Sequence, residues 1–166
     1  MRREFRPPVF LLVLLLAAPL AGEERPPAPE GFSWKTIDSV KAAFLVPKGW
    51  HFLEETHGDT HSFFISEEEI GVVGEFRTGL TVNVQRLKRE SATSYAKLFI
   101  ENLSAIGKVQ ERWQSEEGVM RLYGARIHVT GDPPPFTEHV LAIGNGRTNT
   151  IYTIIFESPD LLWDQA

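Results

Sequence analysis

Short segments in which apolar and polar residues alternate make up most of the sequence from Phe32 onward, with turn-forming residues between them. In one such segment, Leu80, Val82 and Val84 would lie on one side of an extended chain and the intervening polar residues on the other. A period of two residues is typical of β-strands with one buried side. The pattern predicts strands within 41–46, 50–53, 62–66, 80–87, 109–114, 119–130, 136–143 and 150–157.

The last four of these segments are joined by short connections whose composition suits hairpins. These connections are 115–118, 131–135 and 144–149, the last of which contains an Asn-Gly pair. Sequential hairpins predict an antiparallel meander, whereas a Rossmann-type fold needs alternating strands and helices and a glycine-rich phosphate loop. The sequence has neither of these features.

One helix is predicted before the meander, from about Ala92 to Ile106, with Ser91 or Thr93 as its N-cap and Gly107 after its end. Apolar residues recur along it at helical spacing, and we expect this stripe to be the side that packs on the sheet. The stripe consists of Tyr95, Leu98, Phe99, Leu103 and Ile106.

A second helix is predicted at 160–166, where the sequence stops before two full turns. Together these elements predict an α+β fold with an antiparallel β-sheet.

The first 22 residues have the composition of a secretory signal peptide, with three arginines, an apolar run at 9–16 and a small-residue segment at 17–22. The apolar run is shorter than the ~20 residues that span a bilayer core, which disfavours a membrane span. Glutamate follows Gly22, where lipid attachment would require cysteine. We expect a soluble, unlipidated, extracytoplasmic protein, periplasmic or secreted, exported by the general route rather than through the twin-arginine signal that Arg2 and Arg3 resemble.

Cleavage near Gly22 would leave a proline-rich tether, 23–31, and a single domain, 32–166. The sequence contains no cysteine, so this domain would fold by core packing without disulfides and could use neither a cysteine nucleophile nor a thiolate metal site. The formal net charge is -5, and removing the basic signal segment makes it more negative. Such a charge argues against nucleic acid or anionic lipid as the partner.

Several features of the chain recur, in the same order, in a known family. They are the sequence Val46-Pro47-Lys48-Gly49-Trp50, the pair Phe63 and Phe64, the strand Thr81-Val82-Asn83-Val84, the helix after it, and a final strand with Tyr152 and Phe156 before Ser-Pro. In these features the chain resembles the PsbP-like family, small exported bacterial proteins that share the fold of an extrinsic photosystem subunit. The resemblance implies a PsbP-like domain over 32–166, a central antiparallel β-sheet flanked by helices on both faces in an α/β/α sandwich. The family's closing helix would continue past Ala166, so that helix would be incomplete here. The resemblance also implies a role in binding or assembly instead of catalysis.

One cluster of residues suggests a metal site. In an extended segment His57, Asp59 and His61 would project to the same side and could offer two imidazoles and a carboxylate to a divalent ion. The alternative is a solvated hairpin turn, because Gly58 and Asp59 form a common turn pair. We expect the turn and keep the three residues as candidate ligands.

Other residues of types that can carry chemistry have structural interpretations. The acidic pairs at 54–55, 67–69 and 116–117 are expected to be solvated, and no Gly-x-Ser-x-Gly motif accompanies the serines. His128 and His139 could face each other across two strands. The four tryptophans, Trp34, Trp50, Trp113 and Trp163, are expected to fill interfaces between helices and sheet.

These observations predict a non-catalytic exported binding or accessory domain that has no cofactor and contacts a protein or a cell-envelope component. The alternative function is an extracytoplasmic protein that binds a metal or a small ligand through His57, Asp59 and His61.

Overall fold

The structure is a computed structural model and describes residues 26–38, 40, 42–69, 78–131 and 134–163. The predicted signal peptide, residues 23–25 of the predicted tether and residues 164–166 of the predicted closing helix lie outside this part of the chain. The elements within it are β1 (Phe32–Ile37), β2 (Ala42–Pro47), β3 (His51–His57), β4 (Thr60–Ser66), β5 (Gly79–Arg86), α1 (Ala92–Asn102), a 3₁₀ turn (Leu103–Ala105), β6 (Lys108–Glu117), β7 (Met120–Val129), β8 (Phe136–Asn145) and β9 (Thr150–Pro159).

The chain divides into two compact units, the first ending at Lys48 and the second beginning at Gly49. In the first unit β1 and β2 form an antiparallel hairpin, with Phe32 opposite Pro47 and Ile37 opposite Ala42. The indole nitrogen of Trp34 donates a hydrogen bond to the carbonyl oxygen of Pro26 in the tether, at 2.9 Å. The assignment of 32–166 to a single domain stays a prediction.

The second unit contains a seven-stranded antiparallel sheet with the strand order β3-β4-β5-β9-β8-β7-β6. Its last four strands form the meander that the hairpin connections predicted. The final strand, β9, also pairs with β5, so it joins the meander to the β3–β5 half of the sheet. The connection from β5 to β6 includes α1, which packs on one face of the sheet over β7, β8 and β9.

The predicted α/β/α sandwich is wrong. In the described part of the chain 58% of residues are in strands and 11% in helices, and the fold is a β-rich one with one short helix. The predicted second helix fails at its start, because β9 continues to Pro159 by pairing with Phe136 on β8. Residues 160–163 then form turns, in which the amide of Leu162 donates to the carbonyl oxygen of Pro159 at 2.8 Å.

The helix α1 lies close to the sheet because the residues at their interface are small. Ala92 and Ala96 are fully buried on α1, as are Ala125 on β7 and Ala142 on β8. At Gly144 on β8 the approach is closest, since a Cβ atom there would lie 2.5 Å from the carbonyl oxygen of Ala92 and 2.5 Å from the Cα of Thr93. The larger members of this core cluster are Ile100, Leu103, Ile127, Val140 and Ile151.

The first turn of α1 is fixed by one side chain from the β8–β9 hairpin. Asn149 adopts a left-handed backbone conformation, with φ of 53°, and its Oδ1 accepts a hydrogen bond from the amide of Ala92 at 2.8 Å. Its Nδ2 donates to the carbonyl oxygens of Leu87 and Glu90, both at 2.9 Å. The Ser91 hydroxyl accepts from the amide of Ser94, as the sequence predicted for an N-cap.

Among the described residues, no helix has the length and apolar character needed to cross a membrane.

Substituting Gly144→Ala is expected to destabilise the fold by about 1–3 kcal/mol, because the new methyl group would overlap the α1 backbone. Urea denaturation followed by circular dichroism measures this change. Gly146→Ala is the matched control, since a Cβ atom there meets its nearest neighbour at 3.4 Å. Equal stability of the two variants would contradict the close packing of α1.

Candidate binding surface

The candidate metal ligands lie at the tip of the β3–β4 hairpin, where Gly58 and Asp59 form the turn. Their side chains have separate partners: His57 Nε2 lies 3.1 Å from Glu55 Oε2, Asp59 pairs with Lys88, and His61 Nδ1 lies 3.3 Å from the Thr56 hydroxyl. Within the described ranges, no three His, Cys, Asp or Glu side chains are grouped so that they could hold a metal ion. The structure therefore provides no observation that favours a metal site at this hairpin.

The two histidines of the meander lie on the same face of the sheet but are not directly opposite each other. His128 is opposite Thr137, and His139 is opposite Arg126. His128 Nε2 lies 2.6 Å from Oδ2 of Asp160. The other carboxylate oxygen of Asp160, Oδ1, accepts a hydrogen bond from the Thr137 hydroxyl at 2.7 Å. Burial opposes ionisation of Asp160, but these two hydrogen bonds and the charges of His128 and Arg126 outweigh it and lower its pKa.

An aromatic cluster fastens the turn that follows β9 to the face of the sheet opposite α1. The Trp163 ring lies 4.9 Å from the His139 ring and 5.5 Å from the Phe156 ring, between centroids, and Arg126 Cζ lies 5.4 Å from the Trp163 ring. Burial lowers the pKa of His139, and the Arg126 charge lowers it further against the opposite effect of Glu111. This cluster holds the turn after β9 against the sheet.

Two of the four tryptophans do not fill an interface between helix and sheet, as the sequence suggested they would. Trp113 and Trp163 lie on the face of the sheet away from α1. The Trp113 ring covers Gly124, where a Cβ atom would overlap the indole. Trp113 remains 39% exposed.

Three of the acidic residues singled out in the sequence have ordinary partners. Glu55 contacts His57, a Glu68 carboxylate oxygen accepts from the amide of Thr78 at 3.3 Å, and Glu116 pairs with Arg121 at 3.0 Å.

The sequence pattern does not indicate a different pair of carboxylates, Glu138 on β8 and Glu157 on β9. The sequence predicted that these strands pair, but it did not give the register that brings residues so distant in sequence together.

Glu138 and Glu157 are directly opposite each other on the face of the sheet that carries α1. Burial raises the pKa of Glu157 to about 7, and the charge of Glu138 adds to this effect. Burial also raises the pKa of Glu138. Since like charges directly opposite each other in a sheet are unfavourable, the pair stores electrostatic repulsion at neutral pH.

The apolar stripe predicted to be the buried side of α1 is only partly buried. The side that packs on the sheet carries Ala92, Ala96, Ile100 and Leu103, and the expectation that Leu98 and Ile106 would be core residues is wrong. Leu98 is 53% exposed and Ile106 is 61% exposed. The helix rotates in this way because small residues allow α1 to approach the sheet, whereas large ones would hold it away.

This outward side of α1 forms a shallow groove of about 160 Å³, which we call the outer α1 groove. It contains two aromatic rings, those of Tyr95 and Phe99, stacked with centroids 6.4 Å apart. The groove is lined by Tyr95, Leu98, Phe99, Asn102, Leu103 and Ile106.

The carboxylate pair lies near the end of this groove at which α1 stops. Glu138 is opposite Ile127, which belongs to the same buried cluster as Leu103. Ile155, two residues before Glu157 on the same face of β9, packs with Phe99 against that cluster. Apolar contact area and negative charge are therefore adjacent on one surface.

No family model matches this chain, and no curated protein matches it either. A crystal structure of a protein of unknown function from Pseudomonas aeruginosa is similar to it, with a TM-score of 0.41 and 13% sequence identity. The match covers 81% of this chain and 92% of the other. A likeness this weak carries no argument about function, and the resemblance to the PsbP-like family stays a prediction.

The raised pKa of Glu157 predicts that stability falls as the pH rises through about 7. In the unfolded chain the pKa of this carboxyl is near its ordinary value of 4.5. Between pH 4.5 and about 7 the folded state therefore retains a proton that the unfolded state has lost, and stability falls over this range. We expect a loss of about 1–2 kcal/mol from pH 5 to pH 8, after allowance for solvent screening of a half-buried group.

Urea denaturation at the two pH values measures this loss. Glu157→Gln should remove most of it and stabilise the protein at pH 8, because the amide has no proton to lose. Glu117→Gln, at an exposed position on β6, is the control and should retain the wild-type pH dependence. A Glu157→Gln variant that keeps the full dependence would rule out ionisation of Glu157 as its cause.

Proposed function

We propose that this protein is an exported, non-catalytic binding domain that contacts another protein of the cell envelope through the outer α1 groove. The observation that carries the proposal is the exposure of Leu98 and Ile106 beside two stacked aromatic rings. Large apolar side chains grouped on one exposed surface are typical of protein-binding sites. Burying such side chains under a partner would supply about 25 cal/mol for each Å² of apolar area removed from water.

The rigidity of α1 supports the same proposal. The helix is fixed at its first turn by Asn149 and along its buried side by the core cluster. A partner would therefore meet a surface that is already ordered, and binding would not require the helix to fold or rotate. The sequence supports export, because 1–22 has the order of charged, apolar and small residues of a signal peptide.

Removal of the signal peptide is the first test of this proposal. Protein recovered from the extracytoplasmic fraction should begin near residue 23, which N-terminal sequencing and intact mass measure. Leu14→Arg, which interrupts the apolar run, should abolish export, whereas Pro27→Arg in the tether should leave it unchanged. An exported protein that retains residues 1–22 would contradict the assignment of the signal peptide.

Binding through α1 predicts that Leu98→Ser combined with Ile106→Ser weakens the complex with the envelope partner at least tenfold. The physical reason is the loss of buried apolar area, and stability should change little because both residues are exposed. Affinity capture compared between wild type and variant finds the partner, and titration calorimetry with the purified partner measures the loss.

Leu161→Ser with Leu162→Ser is the matched control, since these residues are 86% and 39% exposed outside the groove. This control should bind the partner as the wild type does. If both double variants bind equally well, the outer α1 groove is not the binding site.

A further inference from the structure

The charges around the outer α1 groove indicate what kind of protein segment it would bind. Glu138 and Glu157 face each other beside the groove, and neither belongs to an ion pair among the described residues. Their neighbours in register on this face are Ile127 on β7 and Gly79 on β5, which carry no charge. The carboxylates are therefore half-buried, and no described cation forms an ion pair with them.

The end of α1 is already in contact with a cation and does not add to the charge of this pair. Arg112 on β6 is opposite Ala125, on the face of the sheet that carries α1, and its guanidinium donates a hydrogen bond to the carbonyl oxygen of Glu101 at 3.5 Å. The negative charge beside the groove is therefore that of Glu138 and Glu157.

The two cations that flank Ile127 on the neighbouring strand lie on the other face of the sheet. Arg126 and His128 flank Ile127 on β7, and alternation along a strand turns them away from α1. Arg126 contacts Trp163, and His128 contacts Asp160. Neither can therefore neutralise the carboxylate pair. On the α1 side, Lys97 pairs with Glu101 and Arg112 donates to the carbonyl oxygen of Glu101, so neither of these described cations is paired with Glu138 or Glu157.

We propose that the outer α1 groove binds an amphipathic, basic segment of another protein, with apolar side chains on Leu98 and Ile106 and a lysine or arginine beside Glu138 and Glu157. This inference rests on the proposed binding function and names the chemistry of the partner. A second copy of this chain fits less well, because it would bring a second carboxylate pair and further net negative charge to the same interface.

The energetics favour a basic partner over a neutral one. Half-burial already raises the pKa of both carboxyl groups, so the structure contains unfavourable charge before any partner binds. A cation placed between the carboxylates would allow both to ionise and would relieve their repulsion. A gain of about 1.4 kcal/mol corresponds to a tenfold tighter complex.

The test uses synthetic helical peptides of about 20 residues, because isolated helices shorter than about 12–15 residues are only marginally stable in water. Each presents leucines on one side, and a single position at the border of that side is lysine, glutamine or glutamate. Fluorescence anisotropy at neutral pH and moderate salt measures their affinities for the protein. The lysine peptide should bind about tenfold tighter than the glutamine peptide, and the glutamate peptide should bind most weakly.

Two double variants separate the charge effect from the apolar contact. Glu138→Gln with Glu157→Gln should abolish the advantage of lysine over glutamine while the peptides still bind. Glu116→Gln with Glu117→Gln removes the same charge from the β6–β7 hairpin and should leave that advantage intact. Leu98→Ser with Ile106→Ser should weaken binding of all three peptides.

Each contrary outcome identifies the step that fails. If the peptides bind through Leu98 but show no preference for lysine, the basic partner is wrong and the proposed binding function remains. If no peptide binds, or if binding is indifferent to Leu98→Ser with Ile106→Ser, both proposals fail. Sedimentation with phosphatidylcholine vesicles that depends on Leu98 would assign the groove to a lipid surface and overturn the protein partner.

Discussion

The close approach of α1 to the sheet is the constraint on which the second unit depends. Gly144, Ala125 and Ala142 leave little side-chain volume between the first turns of the helix and the strands, and Ala92 and Ala96 meet them from the helix. A helix that packs this closely places its small residues inward, because packing at interior density tolerates neither a gap nor an overlap. Asn149 fixes where the helix begins and so sets which residues lie at the interface.

The same constraint determines what the surface offers. Once the alanines face the sheet, the geometry of the helix turns Leu98 and Ile106 outward, and no described element of this unit covers them. The β8–β9 register then brings Glu138 and Glu157 together beside this apolar surface. Packing and pairing that stabilise the fold thus create both the apolar contact area and the unbalanced charge on which the proposed binding function rests.

On the other face, residues 160–163 form turns after β9. The turn after β9 is fastened by hydrogen bonds from Thr137 and His128 to Asp160 and by the stacking of Trp163 on His139. The seven-stranded sheet continues β9 to Pro159, so the segment that resembles a helix start in the sequence is used as strand and turn. Local propensity favoured a helix there, and pairing with β8 overrode it.

The sequence by itself determined the strands of the meander, the position of α1 with its N-cap, and the absence of disulfides, because alternation, capping and composition act over a few neighbouring residues. It also located the turn at Gly58 and Asp59. It did not determine which side of α1 is buried, since Tyr95, Leu98 and Ile106 form as good an apolar stripe as the alanines do. Only the tertiary structure decided that side and placed Glu138 opposite Glu157, because both depend on register and on the volume between distant segments, which no local pattern encodes.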